Sequence, residues 1–314
     1  MRIPSYSRHE GMMIEYITAW GKSHGCTVKT DGKKNVYLTK GKPGSGQFYP
    51  AFINHMDTVH HDQQKMVEQK VYKQIVWEGD KVTAVNPLEP KTKPIKNKSN
   101  TSNKSNKFKQ LDFFKKDDDV TIIDDVEIKE SKEESVAKPA ETGKQTGLGM
   151  DDQGGCAIAL DVLDSIPFGK ALFVVEEEIG MQGSKAADMH FFDDCAFVFS
   201  NDSPDRNRGT HYSSGVQLYS DEFFKEHLQK ICSDHGLTDF RSEPYTDIIQ
   251  ARNHTLPNGE HLECLNFGNG GYNPHSDTEY AKFSDVCAAV DLLKDLCTKI
   301  PLNKQYTSEI KEMY

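Results

Sequence analysis

The chain has 314 residues, with 38 lysines and arginines against 48 aspartates and glutamates, so its formal net charge is −10. This acidic balance argues against nucleic acid or an anionic membrane as a general partner, because the long-range field would repel both. The amino terminus lacks the apolar run of a signal peptide, and no later stretch reaches the ~20 apolar residues that span a bilayer. We therefore expect a cytoplasmic protein without a membrane partner, and its seven dispersed cysteines indicate reduced core thiols.

The first predicted elements are one helix and three buried strands. Residues 8–25 place Met13, Ile17 and Trp20 at helical spacing and end in a His-Gly pair, which predicts an amphipathic helix that stops at the glycine. Three short apolar runs are typical of strands buried on both faces. They comprise residues 49–53, 171–175 and 196–199.

Two further helices are predicted in the second half of the chain. The first covers residues 221–234, with core-facing positions at Phe224, Leu228 and Ile231. The second covers residues 284–300, with core-facing positions at Val286, Val290, Leu293 and Cys297.

Residues 87–143 differ in composition from the rest of the chain. Lys, Asn and Ser dominate the first half of this segment, and Lys, Asp and Glu the second. Such a segment buries too little surface to offset its ordering entropy, so we predict a low-complexity, disordered insertion in a single domain formed by residues 1–86 and 144–314. Its basic part is followed by an acidic run, so we do not predict nucleic-acid binding there. The apolar run at residues 120–123 is predicted to be a short strand or a docking element.

Polar residues follow each predicted strand and suggest metal chemistry. On a strand, His55 and Asp57 point to the same side, so the imidazole can bind a metal while the carboxylate orients it. A surface His-Asp pair explains the same motif. The acidic run that contains Glu177 and Glu178 would repel itself at a buried strand end without cations or protons, although a solvated charge run is the alternative. Glu178 would then bind metal while Glu177 removes a proton from water.

Three other residues complete the set of candidate ligands. Asp151 can bridge two cations held ~3.5–4 Å apart, or it can cap the helix that follows, as Asp152 also can. Asp202 follows the third strand, with Asp205 as an alternative, and His275 lies in a turn where an ordinary loop histidine is also expected.

The order of these segments resembles the di-zinc exopeptidases of metallopeptidase clan MH, in the branch of peptidase T, aminoacylases and glutamate carboxypeptidases. The resemblance rests on residues 54–59, 149–155, 177–180 and 270–275. It implies an α/β fold with a mixed, mostly parallel sheet between helices, as in a three-layer sandwich. It also implies two zinc ions, for which cobalt or manganese are alternatives. In the roles that the resemblance implies, His55 and Asp202 bind one ion, Glu178 and His275 bind the other, and Asp151 bridges them. Glu177 would be the general base, and Asp57 would orient His55.

Substrate choice is less determined by the resemblance. About seventy residues separate Asp202 from His275, fewer than the ~100–150 of a typical domain, so the lid domain of this branch is expected to be missing. Gln153 also replaces the lysine usual in the branch, and residues 178–184 and 275–277 resemble the single-domain bacterial leucyl aminopeptidases of the same clan. We predict an aminopeptidase for short peptides. A carboxypeptidase, a deacylase of acyl-amino acids and a catalytically silent binding protein are the alternatives, and either a monomer or a homo-oligomer is compatible.

Candidate groups for recognising the substrate termini differ in charge. A free amino terminus would require a carboxylate, for which Glu279 and Asp277 are candidates. A substrate carboxylate would require a cation or an amide donor, for which Arg206, Arg208 and Asn269 are candidates.

Overall fold

The computed structural model describes residues 2–90 and 143–312. The strands in these ranges are, in chain order, β1 (Cys26–Thr30), β2 (Val36–Lys40), β3 (Tyr49–His55), β4 (Gln74–Glu78), β5 (Lys81–Pro90), β6 (Gly143–Thr146), β7 (Gly169–Val174), β8 (Cys195–Ser203), β9 (Arg208–Ser213), β10 (Val216–Gln217), β11 (Asp239–Glu243), β12 (His261–Leu262), β13 (Cys264–Gly268), β14 (Gly271–Tyr272), β15 (Tyr280–Lys282) and β16 (Thr307–Ser308). The helices are α1 (Gly11–Ser23), α2 (Gln64–Glu68), α3 (Gly155–Ser165), α4 (Gln182–Ala186), α5 (Asp221–Phe223), α6 (Gln229–Asp234), α7 (Ile248–Asn253) and α8 (Phe283–Lys299).

A nine-stranded mixed sheet carries the core. Its order is β1-β2-β7-β3-β8-β13-β9-β10, with β11 beside β9. The central strands β7, β3, β8 and β13 are parallel to their neighbours in this group, whereas β1, β2 and β10 join by antiparallel pairing. Helix α3 packs on β3, β7 and β8 and against α8, while α7 packs on β8 and β13. The predicted α/β class with a mixed sheet flanked by helices is confirmed.

A second, smaller sheet supports one of the loops that carry candidate ligands. Its order is β14-β15-β5-β4, with β6 beside β5. The hairpin of β14 and β15 encloses residues 273–279, and β15 pairs with β5 through Ala281 and Val82. The loop with His275 is therefore anchored on a strand from the first third of the chain.

The predicted insertion 87–143 falls mostly outside the described residues, as does the apolar run at 120–123. Its two ends are described: β5 runs to Pro90, β6 begins at Gly143, and these two residues are paired. Residues 87–90 thus lie in a strand.

Most predicted elements agree with the structure. Helix α1 buries Met13 and Ile17, and Gly25 beyond it adopts a left-handed φ of +73°. Helix α8 buries all four core positions predicted for it. No helix in the described ranges has the length and apolarity needed to cross a membrane. All seven cysteines lie in those ranges and are free thiols, as expected.

The helical region from 221 to 234 differs from prediction in its core face. Phe223, Leu228 and Cys232 are buried, whereas Phe224 and Ile231 are only half-buried against the core. The cause is a π-helical turn over Phe224–Leu228, which separates α5 from α6. Such a turn adds a residue to the helical repeat, so the inward positions shift relative to a regular α-helix.

Candidate metal centre

The candidate ligands meet beyond the carboxyl ends of the parallel strands. His55 is the last residue of β3, Asp202 is the penultimate residue of β8, and Glu177 and Glu178 follow β7. Because β3, β7 and β8 are parallel neighbours, their carboxyl ends lie at one edge of the sheet, where sites of open α/β sheets form.

Asp151 lies between the two histidines, with one oxygen directed to each. Its Oδ1 is 3.1 Å from His55 Nε2, and its Oδ2 is 3.0 Å from His275 Nε2. On the first side Asp202 Oδ1 is 3.4 Å from His55 Nε2, and on the second Glu178 Oε1 is 3.4 Å from His275 Nε2. The arrangement thus has two neighbouring groups of ligand atoms that share one carboxylate.

Asp152 has a different role from Asp151. Its Oδ1 accepts the backbone N–H of Gly155 (3.0 Å), the first residue of α3, and its Oδ2 accepts from the Asn54 side chain (2.8 Å) and the His55 N–H (3.2 Å). The peptide bond between Asp151 and Asp152 is cis. Asp152 also comes within ligand distance of His55 and Asp202, but both of its oxygens are already hydrogen-bonded. Asp152 therefore caps α3, and Asp151 remains the candidate ligand of the two aspartates.

Asp57 orients more of the site than its sequence motif indicates. Its Oδ1 is 3.4 Å from His55 Nδ1, and its carboxylate accepts the backbone N–H groups of Glu177 (3.0 Å) and Glu178 (3.2 Å) and the Ser7 hydroxyl (2.7 Å). Burial raises the pKa of Asp57, but the hydrogen bond and charge of His55 outweigh burial and hold that pKa below its usual value. The Asp57 carbonyl also lies 3.1 Å from His55 Nδ1, so Asp57 holds both the imidazole and the backbone that presents the two glutamates.

The site contains a buried carboxylate oxygen that accepts no hydrogen bond from any residue in the described ranges and faces the His275 imidazole at 3.4 Å. Glu178 is 8% exposed at its side chain, and its Oε1 has no hydrogen-bond partner among the described residues. An unpaired buried carboxylate oxygen is strongly unfavourable unless a positive charge faces it. The His–carboxylate donor set is one that zinc binds well, so the residues present fit a pair of such ions.

The charges of the site also favour metal binding. Burial lowers the pKa of His55, but the carboxylates of Asp202 and Asp151 outweigh it and raise that pKa well above the usual value. The hydrogen bond to Asp151 and the negative charge of Glu178 raise the pKa of His275 to about 10. Imidazole protons therefore balance part of the carboxylate charge, a role that metal ions would take over on displacing those protons.

Glu279 is a structural acid, which contradicts its candidacy as a ligand for a substrate amine. It is fully buried, and its carboxylate accepts the backbone N–H groups of Gly149 (2.6 Å), Met150 (2.8 Å) and Asp151 (3.4 Å). Its Oε2 is also 3.1 Å from His60 Nε2. The acid turns inward because the loop before α3 presents buried backbone donors that need an acceptor. No local sequence signal distinguishes this role.

The remaining recognition candidates are also engaged elsewhere. Arg206 donates to the carbonyl of His235 (3.0 Å), and Arg208 pairs with Asp205 (3.3 Å). Asn269 donates to the carbonyl of Met150 (2.8 Å).

Two lysines account for further features around the site. Asp277, the other candidate for a substrate amine, is exposed and pairs with Lys144 at 3.4 Å. Lys73, which no sequence motif predicts, is buried near the site: its Nζ donates to the carbonyl of Leu148 (2.9 Å) and lies 3.5 Å from Gln153 Oε1. The Lys73 ammonium group therefore lies beside Gln153. The family that the sequence resembles usually has a lysine at the position of Gln153.

Comparisons with known proteins relate the chain to aminopeptidases by structure. No protein-family model matches the chain, and no curated protein matches it in sequence. Aminopeptidase PepT from Bacillus cereus ATCC 10987 is 12% identical with a TM-score of 0.59, and the match covers 94% of each chain. A tripeptidase from Staphylococcus aureus subsp. aureus Mu50 is 12% identical (TM-score 0.57, 95% of each chain). An aminopeptidase from the archaeon Desulfurococcus kamchatkensis is 14% identical (TM-score 0.57, 95% of this chain and 92% of that one). The predicted likeness to exopeptidases is thus confirmed at the level of the fold, which the chain shares with these aminopeptidases and this tripeptidase.

Proposed function

We propose that this chain is a two-metal exopeptidase that removes amino-terminal residues from short peptides. The observation that carries the proposal is the position of Asp151, whose two oxygens face His55 and His275 at 3.1 and 3.0 Å. Two-metal hydrolases hold their ions ~3.5–4 Å apart, which one carboxylate can bridge. We assign His55 and Asp202 to one ion, and His275 and Glu178 to the other. Aminopeptidases share the fold.

Zinc is the metal we propose, because imidazole and carboxylate ligands suit it, although cobalt and manganese fit the same donor set. When bound, such ions lower the pKa of water to about 7 and polarise the scissile carbonyl.

Glu177 moves the proton in the proposed reaction. Its Oε2 is 4.0 Å from His55 Nε2, so the carboxylate lies beside the ligand cluster, and burial raises its pKa and makes it a better base. Glu177 takes a proton from the attacking water and delivers it to the leaving nitrogen as the C–N bond breaks, a role worth ~10²–10⁴ in rate. The Asp57 carboxylate accepts the backbone N–H of Glu177 and so holds Glu177 in position. The products are an amino acid and a shortened peptide.

The charge balance favours an amino-terminal substrate group. Asp57, Asp151, Glu177, Glu178 and Asp202 together carry five negative charges, one more than two divalent ions neutralise. A substrate ammonium is compatible with such a site, whereas a substrate carboxylate would need an additional cation. Arg206 and Arg208, the sequence candidates for that cation, are paired elsewhere.

The test compares hydrolysis by Glu177→Gln, Glu176→Gln and the unmodified protein after zinc loading. Glu176 is the matched control, because it is the neighbouring acid and pairs with Lys33 at 2.8 Å. We expect Glu177→Gln to lose a factor of ~10²–10⁴ in kcat with its metal content unchanged, and Glu176→Gln to stay active. Equal rates for Glu177→Gln and the unmodified protein would refute the mechanism.

Substrate termini decide between the classes of exopeptidase. A tripeptide with a free amino terminus and an amidated carboxyl terminus should be cleaved, and its amino-acetylated counterpart with a free carboxylate should not. The reverse preference would identify a carboxypeptidase or a deacylase. Absence of hydrolysis by the metal-loaded protein would identify a silent binding protein.

A further inference from the structure

A second group of metal-ligating side chains lies apart from the candidate metal centre and shares no residue with it. It consists of His190, Asp193 and His254. His190 lies in the 3₁₀ turn Met189–Phe192, Asp193 follows that turn, and His254 follows α7. One ligand atom from each side chain lies within 4.8 Å of the other two.

The Asp193 carboxylate lies between the two imidazoles and faces one with each oxygen. Asp193 Oδ1 is 2.7 Å from His254 Nε2, and Asp193 Oδ2 is 3.0 Å from His190 Nδ1. The two imidazole rings are nearly perpendicular, at 87°, with their centroids 4.9 Å apart. Two imidazole nitrogens and a carboxylate are a donor set that zinc binds with water in the fourth position.

The surrounding chain holds these ligands in place. The Asp188 side chain accepts the His190 N–H (3.1 Å), and Gln305 donates to the carbonyl of Asp193 (3.0 Å). The carbonyl of His254 lies 3.1 Å from His261 Nδ1. Three separate segments therefore position the cluster, which reduces the ordering needed when an ion binds.

The cluster is open enough for an ion to enter, and the tautomers of its two histidines allow both to bind that ion. The side chains of His190, Asp193 and His254 are 74%, 28% and 12% exposed, so the cluster opens to solvent on the His190 side. A neutral imidazole can carry its proton on either ring nitrogen and present the other as a lone pair. Each histidine can thus turn a lone pair towards the ion while Asp193 supplies an oxygen.

We propose that His190, Asp193 and His254 form a mononuclear binding site for a divalent transition-metal ion of the zinc type. The ion would connect the 189–193 turn, which precedes β8, to the end of α7. Because an ion that binds only the folded chain stabilises it, occupation should protect the protein against unfolding. This site does not depend on the proposed peptidase activity.

The test is a zinc titration of the chelator-treated full chain, with bound metal counted by mass spectrometry. His190→Gln and His254→Gln should each bind one ion fewer than the unmodified protein, and zinc should raise their Tm less. His24→Gln is the matched control, since His24 stacks on Trp20 away from the cluster, and it should bind as the unmodified protein does. Equal stoichiometry and equal zinc-induced Tm shifts in all four proteins would overturn the proposal and leave a hydrogen-bonded network only.

A variant that lacks two ligands of the candidate metal centre distinguishes zinc bound at the His190–Asp193–His254 site from zinc bound at that centre. In the His55→Ala/His275→Ala protein one zinc ion should remain, and addition of His254→Gln should remove it. Loss of all zinc in the double variant, with native circular dichroism, would overturn the proposal. Asp193→Asn serves if a histidine variant fails to fold: it should bind one ion fewer than the unmodified protein, and full binding would count against the site.

Discussion

Glu279 should stabilise the fold and position Asp151 at the same time. It accepts three buried backbone N–H groups, those of residues 149–151, at 2.6 to 3.4 Å. The substitution Glu279→Gln keeps the shape but turns one carboxylate oxygen into an amide nitrogen, which can only donate. Whichever way the amide is oriented, at least one buried backbone donor then loses its acceptor.

The magnitude follows from the contacts. An unsatisfied buried N–H costs about 1–3 kcal/mol, and the remaining bonds lose about 1 kcal/mol with their charge assistance. We therefore expect the free energy of unfolding to fall by about 2–4 kcal/mol. Chemical unfolding in the presence of a chelator measures this without a contribution from bound metal. Zinc affinity should fall as well, because the loop that carries Asp151 shifts.

The control for this variant is Asp277→Asn. Asp277 is an exposed acid two residues away whose partner is Lys144 at 3.4 Å. Its loss should change the free energy of unfolding by less than about 0.5 kcal/mol. If Glu279→Gln unfolds like the unmodified protein and binds zinc equally well, the structural role is refuted. A raised KM with unchanged stability would instead indicate contact with the substrate amine.

Three further predictions concern stability. Burial lowers the pKa of Lys73 from 10.5 to about 8, so between these pH values the unfolded chain keeps a proton that the folded chain has lost. The free energy of unfolding should therefore rise by about 3 kcal/mol from pH 8 to pH 10.5, relative to Lys73→Met. Arg252→Met should cost about 3–5 kcal/mol in denaturant titrations, because the buried guanidinium donates to the carbonyls of Gln217 (2.9 Å) and Leu262 (2.9 Å). Gly147→Ala would place Cβ 1.9 Å from the His60 ring and should cost about 1–3 kcal/mol in the same assay.

Each of these predictions has a contradicting result. Parallel pH profiles of unfolding free energy for Lys73→Met and the unmodified protein would show that burial does not lower the pKa of Lys73. A loss below about 1 kcal/mol for Arg252→Met would mean that the carbonyls find other donors. Unchanged stability of Gly147→Ala would show that His60 moves freely.

The positions of the candidate ligands that follow β3, β7 and β8 are predictable because each depends on a local pattern. Apolar runs followed at once by His55, by Glu177 and Glu178, and by Asp202 indicate strands with polar ends, and parallel strands bring those ends together. The helix α8 is predictable for the same reason, since its apolar spacing spans the whole element.

The features that escaped prediction depend on contacts between distant residues or on irregular backbone. Glu279 meets the 149–151 backbone across about 130 residues of chain, and Lys73 lies beside Gln153 from another segment. Strand β5 supports the His275 loop from about 200 residues away. The π turn at Phe224–Leu228 moved the core face to Phe223 without a signal in the hydrophobic spacing.

We claim that Asp151 joins two metal ions, and the zinc stoichiometry of Asp151→Asn decides whether it does. The measurement uses the His254→Gln background, so that only the candidate metal centre is counted. Two zinc ions should bind without the Asp151 substitution, and Asp151→Asn should weaken both, because its side chain faces both histidines. A protein that binds at most one ion in this background, or an Asp151→Asn variant that retains both with unchanged affinity, would contradict the claim.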